Sequence, residues 1–302
     1  MSGNADDFEA VVKSSPSEAV AAFSERKGVL ARVQHALHVN PALVPLFVLV
    51  ASIVIFGLLL GSKFFSPFAL TLILQQVQIV GIVAAAQSLV LLTAGIDLSV
   101  GAIAVLSSVI MGQFTFRYGM PVELAVVFGL AFGTAIGAIN GWLIAAMKLP
   151  PFIVTLGMWQ IVLAANFLYS ANETIRSQDI EAQAPMLQLL GTTFKIGADP
   201  DGRGGATFTY GVIAMVLIFA FLAYVLSQTA WGRHIYAVGD DPEAAQLSGV
   251  NVKRTLISVY AVTGFICAIA GWALIGRIGS VSPTSGQLLN IESITAVVIG
   301  GI

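Results

Sequence analysis

The chain has little charge, almost no cysteine and no nucleotide-binding signature. Charged residues make up 10% of its 302, against about 25% in ordinary soluble domains. That shortage excludes a fold that meets water over most of its surface. The single cysteine, Cys267, lies inside an apolar run, so neither a disulfide framework nor a thiolate metal site can be built, and packing is its expected role. No G-x-x-x-x-G-K-[ST] stretch occurs, which excludes ATP hydrolysis by this chain in the usual way. No catalytic residue, metal ligand or cofactor is assigned. A formal net charge of −2 supplies no basic field for nucleic acid.

Apolar sequence fills the space. Hydrophobic residues reach 57% and the mean hydropathy is +0.90. A membrane-crossing helix needs roughly 20 mainly apolar residues, because the hydrocarbon core is about 30 Å thick and each residue rises about 1.5 Å. Seven segments approach that length, near 43–61, 69–93, 99–116, 120–147, 152–170, 207–227 and 255–276, and an eighth run begins near Ile291. The expected fold is an all-α, polytopic transmembrane helical bundle over residues 41–302.

Residues 1–40 are polar and mixed in charge, and apolar sequence starts only after Asn40. That is too late for a cleaved secretory signal, so the first helix is expected to be retained behind a cytoplasmic extension. Arg26, Lys27, Arg32, Lys148, Arg233, Lys253 and Arg254 fall on one side of the threading and Lys63, Arg117 and Arg277 on the other. The positive-inside rule then places the N-terminus in the cytoplasm, the loop at about 171–206 outside and the loop at about 228–254 inside.

The inside loop carries Gly239-Asp-Asp-Pro-Glu-Ala-Ala-Gln-Leu-Ser-Gly249. Asp241 can cap a helix whose first residue is Pro242, and Gly249 can end it about two turns later. Asp97 sits in a polar break between two apolar runs, where a charge at membrane depth is a functional candidate, although capping the next helix is its favoured role. A polyol would need amides, hydroxyls and an aromatic face. Gln76 and Gln87, eleven apart and so on one helical face, join Asn140, Trp159, Gln160, Asn166 and Glu292 as candidates for a substrate path. Interhelical hydrogen bonding, at about 1 kcal/mol per contact, is the competing role for each, and helix capping that for Glu292. Gly129, Gly133, Gly137 and Gly141 form a stripe that admits a close helix, either from this chain or from a second copy.

The capped Glu243-Ala244-Ala245…Gly249 spacing resembles the coupling loop of ABC importer permeases. With it stand Leu92-Thr-Ala-Gly-Ile-Asp-Leu-Ser-Val-Gly101, Pro150-Pro-Phe-Ile-Val-Thr-Leu-Gly157 and Ala296-Val-Val-Ile-Gly-Gly301. These four motifs, in their order along the chain, resemble the ribose, xylose, galactose and fructose permease family over nearly the whole chain past residue 40. The resemblance implies a permease subunit of the bacterial inner (plasma) membrane that imports a monosaccharide, with fructose first and ribose, xylose or mannose behind it. It also implies a separate ATP-binding subunit, a periplasmic sugar-binding protein and a second permease copy as partners, besides membrane lipid. Asp241, Pro242, Glu243, Ala244, Ala245 and Gly249 would then couple to the ATPase. In that family a further membrane stretch follows the Gly-Gly pair, so a C-terminal truncation is expected here, in mid-helix and without a cap. Two alternatives stay open. One is an ion-coupled secondary transporter, which the thin supply of intramembrane acids disfavours, and the other is a related permease for branched-chain amino acids or nucleosides.

Overall fold

The computed structural model describes residues 43–197 and 205–301. The extension over residues 1–40 and the acidic loop residues Asp199 and Asp201 lie outside them. The chain forms α1 (Leu43–Leu60), α2 (Pro67–Leu91), α3 (Val100–Phe116), α4 (Val122–Met147), α5 (Pro151–Ser170), α6 (Ser177–Gln183), β1 (Thr193–Ile196), β2 (Ala206–Thr209), α7 (Tyr210–Gln228), α8 (Ala230–Asp240), α9 (Pro242–Leu247), α10 (Val252–Ile278) and α11 (Leu289–Gly300).

Local chemistry sets these boundaries. Ser66, Thr209, Thr229 and Asn251 each accept a first-turn N–H, at the starts of α2, α7, α8 and α10, at 3.2, 3.3, 3.2 and 3.0 Å. These caps satisfy donors that a helix start otherwise leaves open. Helix α4 stops at Lys148, which takes a left-handed φ of 55° just before Leu149-Pro150. Gly301, after the last turn of α11, takes φ 93°, a conformation glycine adopts freely.

Among the described residues, six helices are long and apolar enough to cross a membrane: α1 with its following turn, α2, α4, α5, α7 and α10. The segment read as a seventh full span, 99–116, is a 17-residue helix, shorter than the span length. Every residue of α3 from Val100 to Gln113 is buried, so neighbouring helices enclose it. The long loop also holds more structure than a linker. Helix α6, a 3-10 segment Pro185–Gly191 and the antiparallel pair β1/β2, with Phe194 stacked on Phe208 at 5.9 Å, occupy it. Ile175 and Val281 exchange backbone hydrogen bonds of 2.9 and 3.1 Å, and Trp272 Nε1 donates to the Met186 carbonyl at 3.2 Å, which staples this region to α10.

Helix α10 is the central post. From Gly133 to Gly141 the glycine stripe of α4 packs against it within the same chain, and Gly129 packs against Met111 and Ser107 of α3, settling the choice that the sequence leaves open. A Cβ on Gly133 would stand 2.7 Å from Ala268 Cβ and 2.8 Å from the Gly264 carbonyl oxygen. On Gly141 it would stand 2.8 Å from Ile257 Cα, and on Gly137 it would collide with the Tyr260 carbonyl. Gly264 and Gly271 return the approach, against the backbones of Gly133 and Ala104. Lipid tails are as apolar as leucine, so helices in a membrane associate through close backbone packing, which small residues permit.

Candidate functional site

Two segments enter the bundle from opposite ends and meet in its middle. Residues 92–99 rise from the end of α2, and residues 279–288 descend from the end of α10, where Val281 is tied to Ile175. The helices that follow start side by side. A Cβ on Gly101 would lie 2.9 Å from the Asn290 backbone nitrogen and 3.2 Å from Leu289 Cβ. Val105 and Leu289 pack with Ile79, which stands halfway along the 25-residue α2. Broken helices whose starts converge at mid-bundle are a recurrent way to build a transport site, since irregular backbone at membrane depth survives only inside protein or against a wet cavity.

A buried polar knot holds the first break. Asp97 Oδ1 accepts from the Ser99 amide at 2.7 Å and from its hydroxyl at 2.6 Å, and Asn140 Nδ2 donates to Ser99 Oγ at 2.9 Å. Thr155 Oγ1 donates to the Ile96 carbonyl at 3.1 Å and Asn290 Nδ2 to that of Leu98 at 3.4 Å. The Gln87 amide, in the orientation that satisfies both partners, donates to the Asp97 carbonyl at 3.1 Å and accepts from its N–H at 3.3 Å. The capping role expected of Asp97 is corrected in detail. Ser99 is the N-cap of α3 and makes no side-chain cap bond, because its hydroxyl is engaged by Asp97 and Asn140. Asp97 Oδ2, Asn140 Oδ1, Asn290 Oδ1 and the Tyr260 hydroxyl are enclosed without a protein partner, so the knot keeps unused hydrogen-bonding capacity.

Beside the junction lies a cavity of about 220 Å³. Gly101, Ala102 and Val105 of α3 form one wall, Trp159, Leu163 and Asn166 of α5 another, and Pro283 with residues 285–288 the rest. The α5 residues recur at i, i+4 and i+7, one helical face. Asn166 is buried, and its Nδ2 donates to the Pro283 carbonyl at 2.8 Å, which pins the descending segment to α5. No charged side chain lines the cavity.

The structure separates the other sequence candidates. Gln160, one residue and about 100° from Trp159 on the helix, is exposed and outside this cavity. Gln76 and Gln87 do share a face, yet Gln87 is buried in the knot while Gln76 is exposed near the middle of α2, where Arg277 Nη2 donates to its Oε1 and Arg277 Nη1 to the Gln75 carbonyl at 2.7 Å. Neighbours change along a helix even where the face does not. Glu292 is exposed in the first turn of α11, whose N-cap Leu288 makes no side-chain bond; the capping expected of it is replaced by a favourable position near the helix dipole. The sequence reading misses Ser285 and Gln287, because nothing in an irregular stretch signals which face it will meet.

At the opposite end, where Lys148 lies, α8 packs on the bundle through Ile235 and Val238, and α9 follows it. Asp241 Oδ1 accepts from the Glu243 and Ala244 amides at 2.8 and 3.1 Å, Pro242 fills the first position, and Gly249 leaves at φ 89°. Ala245 is buried, whereas Glu243, Ala244 and Gln246 are exposed and Leu247 is 90% exposed. A groove of about 560 Å³ runs beside α9, lined by Lys148, Gln246, Gly249, Val250, Asn251 and Lys253 among others. Leu247 is the residue that sequence spacing does not single out.

A bundle of apolar spans with broken helices at its centre and a capped helix at one end defines a membrane transport permease. The chain belongs to the family described as branched-chain amino acid transport system / permease component, which matches residues 69–302. Among individual proteins, it is 66% identical over 296 residues to a fructose import permease protein of Rhizobium meliloti, covering 98% of this chain and 80% of the relative. A ribose import permease protein of Bacillus subtilis is 36% identical over 253 residues, 82% of this chain and 73% of the relative. A xylose transport system permease protein of Escherichia coli is 30% identical over 308 residues, 84% and 78%. No solved structure matches the chain. The protein is a multi-pass membrane transport component and not an enzyme.

Proposed function

We propose that the chain is the permease subunit of an ATP-driven importer that carries a monosaccharide, fructose first, across the bacterial inner membrane into the cytoplasm. The observation that carries this reading is the α9 end of the bundle. A short, rigidly capped helix presents Leu247 at 90% exposure, flanked by Ala244 and by a groove holding Lys148 and Lys253. An apolar side chain so bare, on a helix held at both ends, suits insertion into a cleft of a separate ATPase. Names of the relatives support the sugar, and a fructose import permease protein at 66% identity weighs most. The N-terminus and α9 then lie in the cytoplasm and the loop at 171–206 outside. A periplasmic sugar-binding protein docks outside, and two copies work as a pair. Proton or sodium coupling would call for a relay of acids; among the described residues Asp97 is the one buried acid, and it is tied to Ser99.

Transport would alternate access across the junction. ATP draws the two ATPase subunits together, α9 moves with its cleft, and α8 and α10 pass that motion to the bundle. Bulk at Ala245 would strike the chain's own packing, so the informative variants are at Leu247 and Ala244. In a complex reconstituted with the ATPase and binding protein, Leu247→Asp is expected to lower sugar-stimulated ATP hydrolysis and uptake by about tenfold or more, an interface loss of about 1.4 kcal/mol, with an unchanged melting temperature. Full activity in that variant, or uptake that follows an ion gradient without ATPase, would overturn the reading.

A further inference from the structure

The cavity at the helix junction has the chemistry of a sugar-holding site. Its wall combines one large aromatic face, Trp159, with amides of Asn166 and Gln287, the Ser285 hydroxyl and the near-absent side chains of Gly101, Ala102 and Gly286. A monosaccharide offers hydroxyls on its edges and C–H groups on its faces, with no charge. Amides meet the first and an indole ring meets the second, whereas an amino acid's ammonium and carboxylate would find no counter-ion here. The bond to the Pro283 carbonyl fixes the Asn166 amide and leaves its Oδ1 enclosed without a partner, an acceptor committed to nothing in the protein. A volume of about 220 Å³ is far above the roughly 10–15 Å³ that admits a single water, room for a small polar solute.

We infer that this cavity is a monosaccharide subsite within the permease itself, in which Trp159 stacks on the sugar face, Asn166 and Gln287 hydrogen-bond its hydroxyls, and Ala102 sets the size limit. The inference rests on the importer reading and adds that the membrane subunit makes its own selective contact with cargo. It also assigns the descending 279–288 segment a recognition role, since that segment brings Gln287 and Ser285 to the aromatic wall.

The test is site-directed alkylation of the full chain in membrane vesicles, which needs neither ATPase nor binding protein. Cys267 is buried and is replaced by Ala, and Ser285→Cys supplies the probe. Saturating fructose is expected to slow maleimide labelling at Cys-substituted position 285 by about fivefold or more, as mass action on an occupied site requires, and leucine is expected to leave it unchanged. Adding Trp159→Ala or Ala102→Leu should abolish the protection while the sugar-free labelling rate stays the same, and Trp159→Phe should retain it. Having the blocking variants on two different helices guards against a fold defect in either. Protection by leucine in place of fructose, no protection by fructose, or protection that survives both Trp159→Ala and Ala102→Leu would overturn the subsite. Such a result would leave the importer reading standing, because that reading is judged separately by ATPase coupling through Leu247.

Discussion

Helices α1 and α3 are both apolar stretches of similar length, 18 and 17 residues, and they have opposite fates. None of the residues of α1 is buried, while α3 is enclosed from Val100 to Gln113. Hydrophobicity does not separate them in the direction a soluble protein would suggest, because α1 is the more uniformly greasy of the two. Small and polar side chains run along the length of α3, at Gly101, Ala102, Ala104, Ser107, Ser108, Gly112 and Gln113, whereas α1 has only Ala51, Ser52 and Gly57 among long apolar neighbours. In a bilayer, leucine gains nothing by leaving lipid for protein. Backbone proximity and hydrogen bonds decide which helix goes inside. The same rule puts α10, with Gly264, Gly271 and Gly276, at the centre.

The sharpest way to break this comparison is to remove the room for close approach. Gly137→Leu drives a side chain into the Tyr260 carbonyl and is expected to cost about 3 kcal/mol or more, read as loss of a monodisperse, heat-resistant species in detergent; wild-type melting would refute the packing argument. A smaller loss should follow from cutting the polar knot. Asn140→Leu removes the donor to Ser99 Oγ and should lower stability by about 1 kcal/mol, visible as a drop of a few degrees in melting temperature. The smallest effect belongs to α1. Leu58, 82% exposed, should tolerate Ala with a change below about 0.5 kcal/mol, and a large shift there would mean that α1 has a packing partner after all.

Much of this is legible in the residues. Long apolar runs give the spans within a few positions, because the bilayer enforces both length and helicity. Asp241-Pro242 and Gly249 give the ends of α9 through chemistry confined to a few neighbouring residues. Trp159 and Asn166 are named as path candidates and the structure places both on one cavity wall. What is not legible is whatever depends on which face of a helix meets which neighbour at a given depth. Gln76 satisfies the same periodicity as Gln87 and still ends at an arginine. Asp97 looks like a cap until Asn140, 43 residues away, takes up the hydroxyl of Ser99. The 17-residue length of α3 and the descent of 279–288 leave no periodic signature, so the junction itself can be seen only in three dimensions.

The abutment of Gly101 on Leu289 and Asn290 has an electrical consequence. A membrane that carries a potential stores about 2.3 kcal/mol per elementary charge for every 100 mV, and any standing water column through an importer would discharge it. Where α3 and α11 begin, the backbones are so close that a single methyl group would stand 2.9 Å from the Asn290 nitrogen. A file of water, and the protons that would hop along it, finds no gap there. Gly101 therefore closes this seam to water as well as packing it, because any larger side chain would push the two helix starts apart.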